Sequence, residues 1–251
     1  MLKIENLSVA YAKSERNAVC EASFRLEKGS FTALVGESGS GKSTIVSAAL
    51  GLLPSSSRVS GSIIWKGVNL AAIDETDFRK YRWKELALVP QGALNSFTPV
   101  ITIGAHIAEV LDVHLGIKGK EAENKIASLL EEVSLPKESA KKYPHELSGG
   151  QKQRAAIALA LACSPELLFA DEPTTALDVV TQASVLKLLK KLRTEKALTI
   201  LFVTHDLPMA ASLCDHIIVM KNGCIVESGT PRQIIENPQN EHTKSLVAAM
   251  L

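Results

Sequence analysis

The chain has 251 residues, 46% of them apolar and 22% charged, which is typical of a folded globular protein and excludes a disordered one. Lysine and arginine (28) nearly balance aspartate and glutamate (27), and a net charge of +1 disfavours a nucleic-acid binder that works by bulk charge. No two of the four cysteines have the C-x-x-C spacing of a zinc or iron–sulfur site, so we expect small, buried thiols in a reducing compartment.

No segment of the sequence predicts a secretory leader or a membrane-spanning helix. The first five residues alternate between apolar and polar types. The longest apolar run, 155–163, is far shorter than the ~18 residues that a spanning helix needs. We therefore expect a protein that stays in the cytoplasm and serves any membrane through a partner.

The N-terminal third predicts β-strands. Apolar or aromatic side chains occupy alternate positions at 7, 9 and 11 and again at 22, 24 and 26. A short apolar segment, 63–65, lies between two glycines that favour turns. This pattern predicts an antiparallel strand layer.

The strongest motif follows a short apolar strand, 31–35, and precedes a predicted helix, 43–52. It fits G-x-x-x-x-G-K-[ST] from Gly36 to Ser43. Glycines let backbone N–H groups turn inward toward phosphates, and the helix N-terminus adds partial positive charge. The motif predicts a nucleotide site in which Lys42 meets the β- and γ-phosphates and the Ser43 hydroxyl meets Mg²⁺.

A basic segment with two aromatic residues, 79–84, has the composition of a nucleic-acid patch. Acidic residues at 74, 75, 77 and 85 flank it and largely cancel its field. We interpret it as a solvated helix face and expect no nucleic-acid partner.

The middle of the chain, 104–161, predicts helices. Apolar residues at 126, 129, 130 and 133 follow the i, i+3, i+4, i+7 pattern of one helix face. Within this segment, the sequence LSGGQ at Leu147–Gln151 precedes an alanine-rich helix. Glycines ahead of a helix create a second N-terminus suited to an anion.

After residue 161, strands alternate with helices, which predicts a mostly parallel sheet. The apolar strand 167–170 ends in Asp171 and Glu172, so both carboxylates lie at the carboxyl edge of the sheet, where such sheets bind ligands. We expect Asp171 to hold Mg²⁺ through water and Glu172 to act as the general base toward the attacking water. His205 follows another buried strand, where a histidine can donate to a γ-phosphate. The other five histidines are expected to be surface or hydrogen-bonded groups.

These motifs together resemble the ABC (ATP-binding cassette) ATPase family, whose signature is LSGGQ, and the resemblance covers nearly the whole chain. It implies an α/β fold of the P-loop NTPase (RecA-like) type. In that fold, a mostly parallel core carries an N-terminal antiparallel β subdomain and an inserted α-helical subdomain. The chain is then one domain, 1–251, with the core and β layer formed by 1–91 and 162–251 and the helical subdomain by 92–161.

The resemblance also implies roles for individual residues. Tyr11 is placed like the residue that stacks on adenine, and Gln91 matches the Q-loop glutamine that reaches Mg²⁺. Asp178 ends a segment that looks like the D-loop, and His205 looks like the switch histidine. In the family, the signature of one subunit contacts the γ-phosphate bound by the other.

The expected site therefore has three sets of residues. The catalytic set is Lys42, Gln91, Glu172 and His205. The metal set is Ser43, Gln91 and Asp171. The nucleotide-contacting set is Tyr11, Gly36, Ser38, Gly39, Ser40, Gly41, Lys42, Ser43, Thr44, Ser148, Gly149, Gly150, Gln151 and Asp178.

Within the family, the segments 35–43, 143–146 and 171–178 look like the ATPases of oligopeptide, dipeptide and nickel importers. The segment 238–246 resembles the Pro-x-His-Pro-Tyr-Thr tail of that branch, with departures. A second departure is Val-Pro-Gln-Gly at 89–92, where the branch usually has Phe-Gln-Asp-Pro.

We therefore expect an ATPase that uses ATP and Mg²⁺ to power the import of a small solute, a peptide or a nickel or metal chelate. The expected partners are transmembrane permease subunits, a second ABC ATPase subunit of the same or a homologous chain, and, indirectly, a solute-binding protein. The expected location is peripheral, on the cytoplasmic face of the inner membrane. The stretch 96–99 is the expected permease contact, and an exposed Phe97 would support it.

One alternative stays open on sequence grounds: an ABC-type ATPase module docked on a soluble enzyme complex. Chromosome-organising and DNA-repair relatives place long coiled coils between the two nucleotide motifs, and no sustained heptads occur between Lys42 and Asp171. Translation-factor types have two cassettes in one chain. A small-molecule kinase accounts for the glycine-rich phosphate loop of the Gly36–Ser43 motif but not for LSGGQ or His205.

Overall fold

The computed structural model describes residues 1–12, 14, 16–92 and 96–250, in two units. The first unit combines Met1–Lys80 with Thr199–Leu251, and the second is Tyr81–Leu198. The predicted helical subdomain, 92–161, falls entirely within the second unit. The finer division of the remaining chain into a core and a β layer stays a prediction.

The first unit contains an antiparallel sheet with strand order β2-β1-β4-β5. Side chains of β1 alternate between buried and solvent-facing positions until Asn6, whose φ of 48° marks a register shift in the pairing with both neighbours. This is the strand layer that the alternation in the N-terminal third predicts. Its strands are β1 (Leu2–Ala10), β2 (Val19–Leu26), β4 (Arg58–Trp65) and β5 (Val68–Asn69).

A second set of strands in the same unit has the order β10-β9-β3-β8. All five residues of β3 (Phe31–Val35) are buried, as expected for a strand covered on both faces. It pairs in parallel with β8 (Thr199–Thr204) and β9 (His216–Lys221), and β10 (Cys224–Gly229) returns antiparallel to β9. The parallel pairing confirms the predicted α/β class.

Five helices belong to the described part of this unit. α1 begins at Lys42, directly after the phosphate loop, and ends at Ala49. It is shorter than predicted because Gly51 adopts a left-handed conformation (φ 62°) just past its end. The others are α2 (Glu75–Phe78), α7 (Leu207–Leu213), α8 (Pro231–Glu236) and α9 (Glu241–Ala248).

The acidic residues beside the basic segment pair with it. Glu75 Oε1 lies 3.3 Å from Arg79 Nε, and Asp77 Oδ1 lies 2.5 Å from Lys80 Nζ. All four side chains are largely exposed. The local charge is thus balanced in a solvated region.

The described residues of the second unit form the parallel strand pair β6 (Leu86–Val89) and β7 (Leu167–Asp171) and four α-helices. Its predicted apolar helix face is buried at Ile126, Leu129 and Leu130, on α4. Short 3₁₀ turns cover 137–141 and 144–146. The helices are α3 (Ile103–Leu115), α4 (Gly119–Glu132), α5 (Gly149–Ala160) and α6 (Val179–Lys196). Every helix in the described residues is too short or too polar to cross a lipid bilayer.

Candidate nucleotide-binding site

The phosphate loop leaves β3 and enters α1 through Gly41, which has a φ of 100°. A Cβ atom on Gly41 would lie 2.4 Å from the Ala18 carbonyl oxygen, so only glycine fits. The first intrahelical hydrogen bond runs from Ile45 N to Gly41 O (3.1 Å). The N–H groups of residues 42–44 therefore precede the helical ladder, at the position where helix N–H groups bind anions.

Lys42 is buried, with 5% of its surface exposed. Its ammonium donates to the carbonyl oxygens of Gly36 (2.7 Å) and Glu37 (2.8 Å) and lies 3.4 Å from Ser40 Oγ. A buried cation requires such partners. The oxygens of a polyphosphate are stronger acceptors for the same donors, so this loop fits ATP phosphates.

Tyr11 follows the last residue of β1 and is half-buried beside the helix that begins at the phosphate loop. Its hydroxyl lies 3.2 Å from Thr44 Oγ1. The structure thus brings Tyr11 to the nucleotide loop, and its stacking role stays a prediction.

A small pocket of about 50 Å³ borders the phosphate loop; it is lined by loop residues 37–40, by residues 220–222 and by His242. His242 is only 7% exposed, and its Nε2 has no hydrogen-bond partner within the described part of the chain. The expectation that this histidine is a surface or satisfied group is therefore wrong. By contrast, His106 is satisfied as expected, because Nε2 accepts from Thr98 N (3.0 Å) and Nδ1 lies 2.9 Å from Thr102 O. The only sequence signal for His242 was its place in the tail-like segment 238–246.

His205 follows the last residue of β8 and is exposed. The next residue, Asp206, fixes the turn: its backbone N donates to Thr204 Oγ1 (3.0 Å), and its carboxylate caps α7 by accepting from Met209 N (2.7 Å). The histidine is therefore presented to solvent by a rigid turn, and its role as a γ-phosphate sensor stays a prediction.

In the second unit, β7 ends in two carboxylates with different environments. Asp171 is buried (7% exposed), whereas Glu172 is half-buried in a left-handed conformation with a φ of 45°. Such a backbone is strained in a non-glycine residue, and strain of this kind clusters at functional sites. Glu172 Oε2 accepts from Gln91 Nε2 (3.3 Å) and from Thr175 Oγ1 (3.0 Å). The structure thus brings Gln91 and Glu172 together and adds Thr175, which the sequence did not single out although it lies in the family-like segment 171–178.

The signature segment forms the start of α5. Ser148 Oγ accepts from Gln151 N (3.3 Å), and Gln151 Oε1 accepts from Ser148 N (3.0 Å), a reciprocal capping box. A Cβ atom on Gly150 would lie 2.5 Å from Thr181 Cγ2. Gly150 therefore packs closely on the start of α6.

Asp178 caps that same helix, α6. Its Oδ2 accepts from Thr181 Oγ1 (2.7 Å) and its Oδ1 from Thr181 N (3.0 Å). These hydrogen bonds lower the pKa of the Asp178 carboxyl, so it stays ionised at neutral pH. The two residues that follow, Val179 and Val180, are each 80% exposed.

Phe97 does not have the exposure expected of a permease contact. It is 6% exposed and packs edge-to-face on His106, with ring centroids 5.2 Å apart. The turn at 96–99 is therefore packed at Phe97. The exposed Phe97 that would have supported a permease contact at this turn is not found.

The chain resembles known proteins over most of its length. The family described as "ABC transporter" matches residues 19–175. A peptidoglycan transport ATP-binding protein of Agrobacterium fabrum is 43% identical over 99% of this chain, which spans only 47% of that relative. A putative peptide import ATP-binding protein of Brucella ovis is 42% identical over 100% of the chain and 77% of the relative. A metal-staphylopine import system ATP-binding protein of Staphylococcus aureus is 36% identical over 99% of the chain and 92% of the relative.

Two solved structures are also similar, each with a TM-score of 0.81, 30% identity and coverage of 92% of this chain and 99% of the other. One is the dimeric structure of an ATP-binding cassette in a post-hydrolysis state, bound to ADP and Pi. The other is the dimeric structure of a bacterial ABC transporter cassette.

Proposed function

The chain belongs to the ABC transporter family of ATP-hydrolysing cassettes, and from this premise we propose that it powers the import of a peptide or a metal chelate. One observation carries the chemical part of the proposal. The Glu172 carboxylate, at the end of a buried strand, is held by Gln91 and Thr175 in a chain that also has a complete phosphate loop. Relatives named for peptide and metal-chelate import support the choice of cargo class.

Binding of ATP uses charges and donors that are already positioned. Lys42 exchanges its loop carbonyl partners for β- and γ-phosphate oxygens, and the N–H groups of residues 42–44 donate to the phosphates. Tyr11 stacks on the adenine. Ser43, Gln91 and Asp171 would hold Mg²⁺, which would supply positive charge to stabilise the negative oxygens of the transferring phosphoryl group.

Hydrolysis needs a base for the attacking water. Glu172 accepts the proton of that water as its oxygen bonds to the γ-phosphorus and the bond to the β-phosphate oxygen breaks. Gln91 and Thr175 orient the carboxylate by donating to Oε2. His205 donates to the γ-phosphate and loses this contact when phosphate leaves.

Two cassettes act together in this proposal. The signature loop, whose Ser148 and Gly149 are exposed, completes the nucleotide site of a second cassette, and Asp178 lies at the same interface. The exposed Val179 and Val180 support a protein contact here, since adjacent exposed apolar side chains mark such surfaces. The dimeric state of the similar solved cassettes supports this arrangement.

The proposed partners are transmembrane permease subunits on the cytoplasmic face of the membrane, with a solute-binding protein acting through them. The second cassette is a copy of this chain or a homologous one. Membrane association is therefore peripheral and depends on the permease.

The test of the chemistry is Glu172→Gln. We expect this variant to bind ATP with native affinity while its hydrolysis rate falls by about 10²- to 10⁴-fold, because the base is lost. The matched control is Glu195→Gln, an exposed position on α6, which should hydrolyse ATP at the native rate. Native turnover by Glu172→Gln would contradict the assignment of the base.

The test of the transport role is a native pull-down from membranes with tagged Glu172→Gln protein and Mg-ATP. Recovery of multi-spanning proteins and a cassette supports the importer. Recovery of only soluble enzymes would support the alternative, a module docked on a soluble complex.

A further inference from the structure

Two of the four cysteines form a pair in the first unit. Cys20 lies on β2 and Cys224 begins β10, and both are half-exposed. The backbone brings them together, because Cys20 hydrogen-bonds to the residue that precedes Cys224. The Cys20 thiol itself donates to Asn17 O (3.9 Å), and the Cys224 side chain is one of the groups that raise the pKa of the Cys20 thiol. The other two, Cys163 and Cys214, are 7% and 6% exposed. The expectation of four buried thiols is therefore wrong for this pair.

The backbone links this pair directly to the phosphate loop. Cys20 N donates to Gly223 O (2.9 Å), and Gly223 N donates to Ser40 O (3.1 Å). Gly223 thus connects the strand of one thiol to the loop and immediately precedes the other thiol, Cys224. A shift of Cys20 reaches Ser40 through two hydrogen bonds, and a shift of Cys224 reaches it through the peptide bond to Gly223 and one hydrogen bond.

The packing at this point leaves no space to absorb a shift. A Cβ atom on Gly41 would lie 2.4 Å from Ala18 O and 3.4 Å from Gly223 Cα. A close-packed backbone transmits a displacement rather than damping it. Movement of the turn at Gly223 therefore alters the phosphate loop.

The reduced pair is stable without an oxidant. Partial burial, the neighbouring Cys224 and the Glu21 carboxylate raise the pKa of the Cys20 thiol. Cys20 therefore carries its proton at neutral pH. Exchange with an external disulfide requires a thiolate, which in this pair is supplied by Cys224.

We propose that Cys20 and Cys224 form a reversible disulfide by exchange with a small-molecule disulfide, and that this bond weakens ATP binding. The thiolate of Cys224 attacks one sulfur of the small disulfide, and the displaced thiolate takes up the proton that Cys224 lost. The Cys20 sulfur then attacks the Cys224 sulfur of the mixed disulfide, loses its proton and displaces the second small thiol. Two protein thiols are oxidised and one small disulfide is reduced to two thiols.

The physical reason for weaker binding is contraction. A disulfide holds its sulfurs at about 2.05 Å, much closer than two unbonded sulfur atoms can approach. Closing the pair draws Cys224, and with it Gly223, toward β2. The Gly223–Ser40 hydrogen bond is then strained and the loop is less well ordered for phosphate. This effect rests on the proposed function, since it needs ATP at this loop.

The experiment uses the native chain in reduced form and after equilibration with oxidised glutathione. Intact mass and peptide mapping identify the bond, and a fluorescent ATP analogue gives the Kd. We expect a Cys20–Cys224 cross-link, reversed by dithiothreitol, and a Kd raised at least about fivefold in the oxidised protein. Cys163 and Cys214 should stay unmodified and serve as internal controls.

Cys20→Ser and Cys224→Ser are the matched variants, since neither can close the bond. Both should bind the analogue like the reduced native chain, with or without oxidised glutathione. The same loss of affinity in these variants, no cross-link in the native chain, or a cross-link with unchanged Kd would each overturn the proposal.

A second measurement needs no variant. Because coupling between two equilibria is reciprocal, saturating Mg-ATP should lower the disulfide-to-dithiol ratio at a fixed glutathione ratio by the same factor as the Kd change. An unchanged ratio contradicts the coupling. Absence of ATP binding by the reduced chain would instead refute the proposed function and leave the cross-link itself measurable by mass.

Discussion

At the scale of single residues, the candidate site depends on how charged groups are held. Lys42 is buried and donates to two loop carbonyls, and Glu172 is fixed by donors on Gln91 and Thr175. Both charges are therefore oriented by the chain's own groups. His242 adds a buried ring nitrogen at the edge of the phosphate loop that contains Lys42.

The clearest residue-scale prediction concerns Lys42. We expect Lys42→Ala to reduce ATP hydrolysis by about 10²-fold or more, because the phosphate charge loses its chief cationic partner. The measurement is phosphate release by the purified variant, with ATP binding followed in parallel. Lys28→Ala, at an exposed position in the same unit, is the control and should behave like the native chain. Full activity in Lys42→Ala would refute the site assignment.

At the scale of elements, short turns decide where each group is presented. Gly41 joins the phosphate loop to α1, and capping side chains fix the first turns of α5 and α6. Caps of this kind satisfy helix N–H groups that would otherwise need water. The nucleotide motifs thus lie at places where the backbone is fixed by local hydrogen bonds or by close packing.

Two glycines allow a matched test of this packing. Gly41 and Gly67 both have positive φ (100° and 89°), but a Cβ atom on Gly41 would lie 2.4 Å from Ala18 O, whereas one on Gly67 would meet nothing within 4 Å. Gly67→Ala should lower the free energy of unfolding by about 1–2 kcal/mol, the cost of a left-handed alanine. Gly41→Ala should cost about 1–3 kcal/mol more, because of overpacking.

Urea unfolding of both variants measures the difference, and ATP binding provides a second readout. Gly67→Ala should keep native ATP affinity, and Gly41→Ala should lose affinity as the loop is displaced. Equal destabilisation of the two variants would show that the contact with Ala18 relaxes at no cost.

At the scale of the whole molecule, the proposal requires two chains for one reaction. The phosphate loop and the signature segment both present helix N-termini, and the similar solved cassettes are dimers. If the signature loop serves the partner chain, a change in this loop leaves nucleotide binding by its own chain intact. This property separates a composite site from a self-contained one.

Mixing two inactive variants tests the composite site. Ser148→Arg should bind ATP normally but fail in hydrolysis, and Lys42→Ala should fail in both. In a mixed dimer one of the two sites has both its Lys42 and its facing Ser148 intact. An equimolar mixture should therefore recover about a quarter of native activity, since half of the dimers are mixed and each has one good site. Phosphate release by the mixture is the measurement, and no recovery from a mixture shown to contain mixed dimers would contradict the composite site.

Local motifs were predictable because a few contiguous residues encode them. Glycines at fixed offsets between an apolar strand and a helix specify the phosphate loop, and unbroken apolar runs specify strands buried on both faces. The sequence therefore predicted the α/β class, the antiparallel layer and the family. The end of α1 was misjudged, because the left-handed Gly51 ends the helix before the apolar pattern does.

What the sequence determined by itself was thus the set of motifs and the class of fold. Only the tertiary structure decided which distant residues meet and which side chains are covered. It brought Cys20 beside Gly223 and Cys224, buried Phe97 and His242, and placed Gln91 on Glu172. The physical reason is that burial and pairing depend on chain segments far apart in sequence, whereas a turn or a helix start depends on its immediate neighbours.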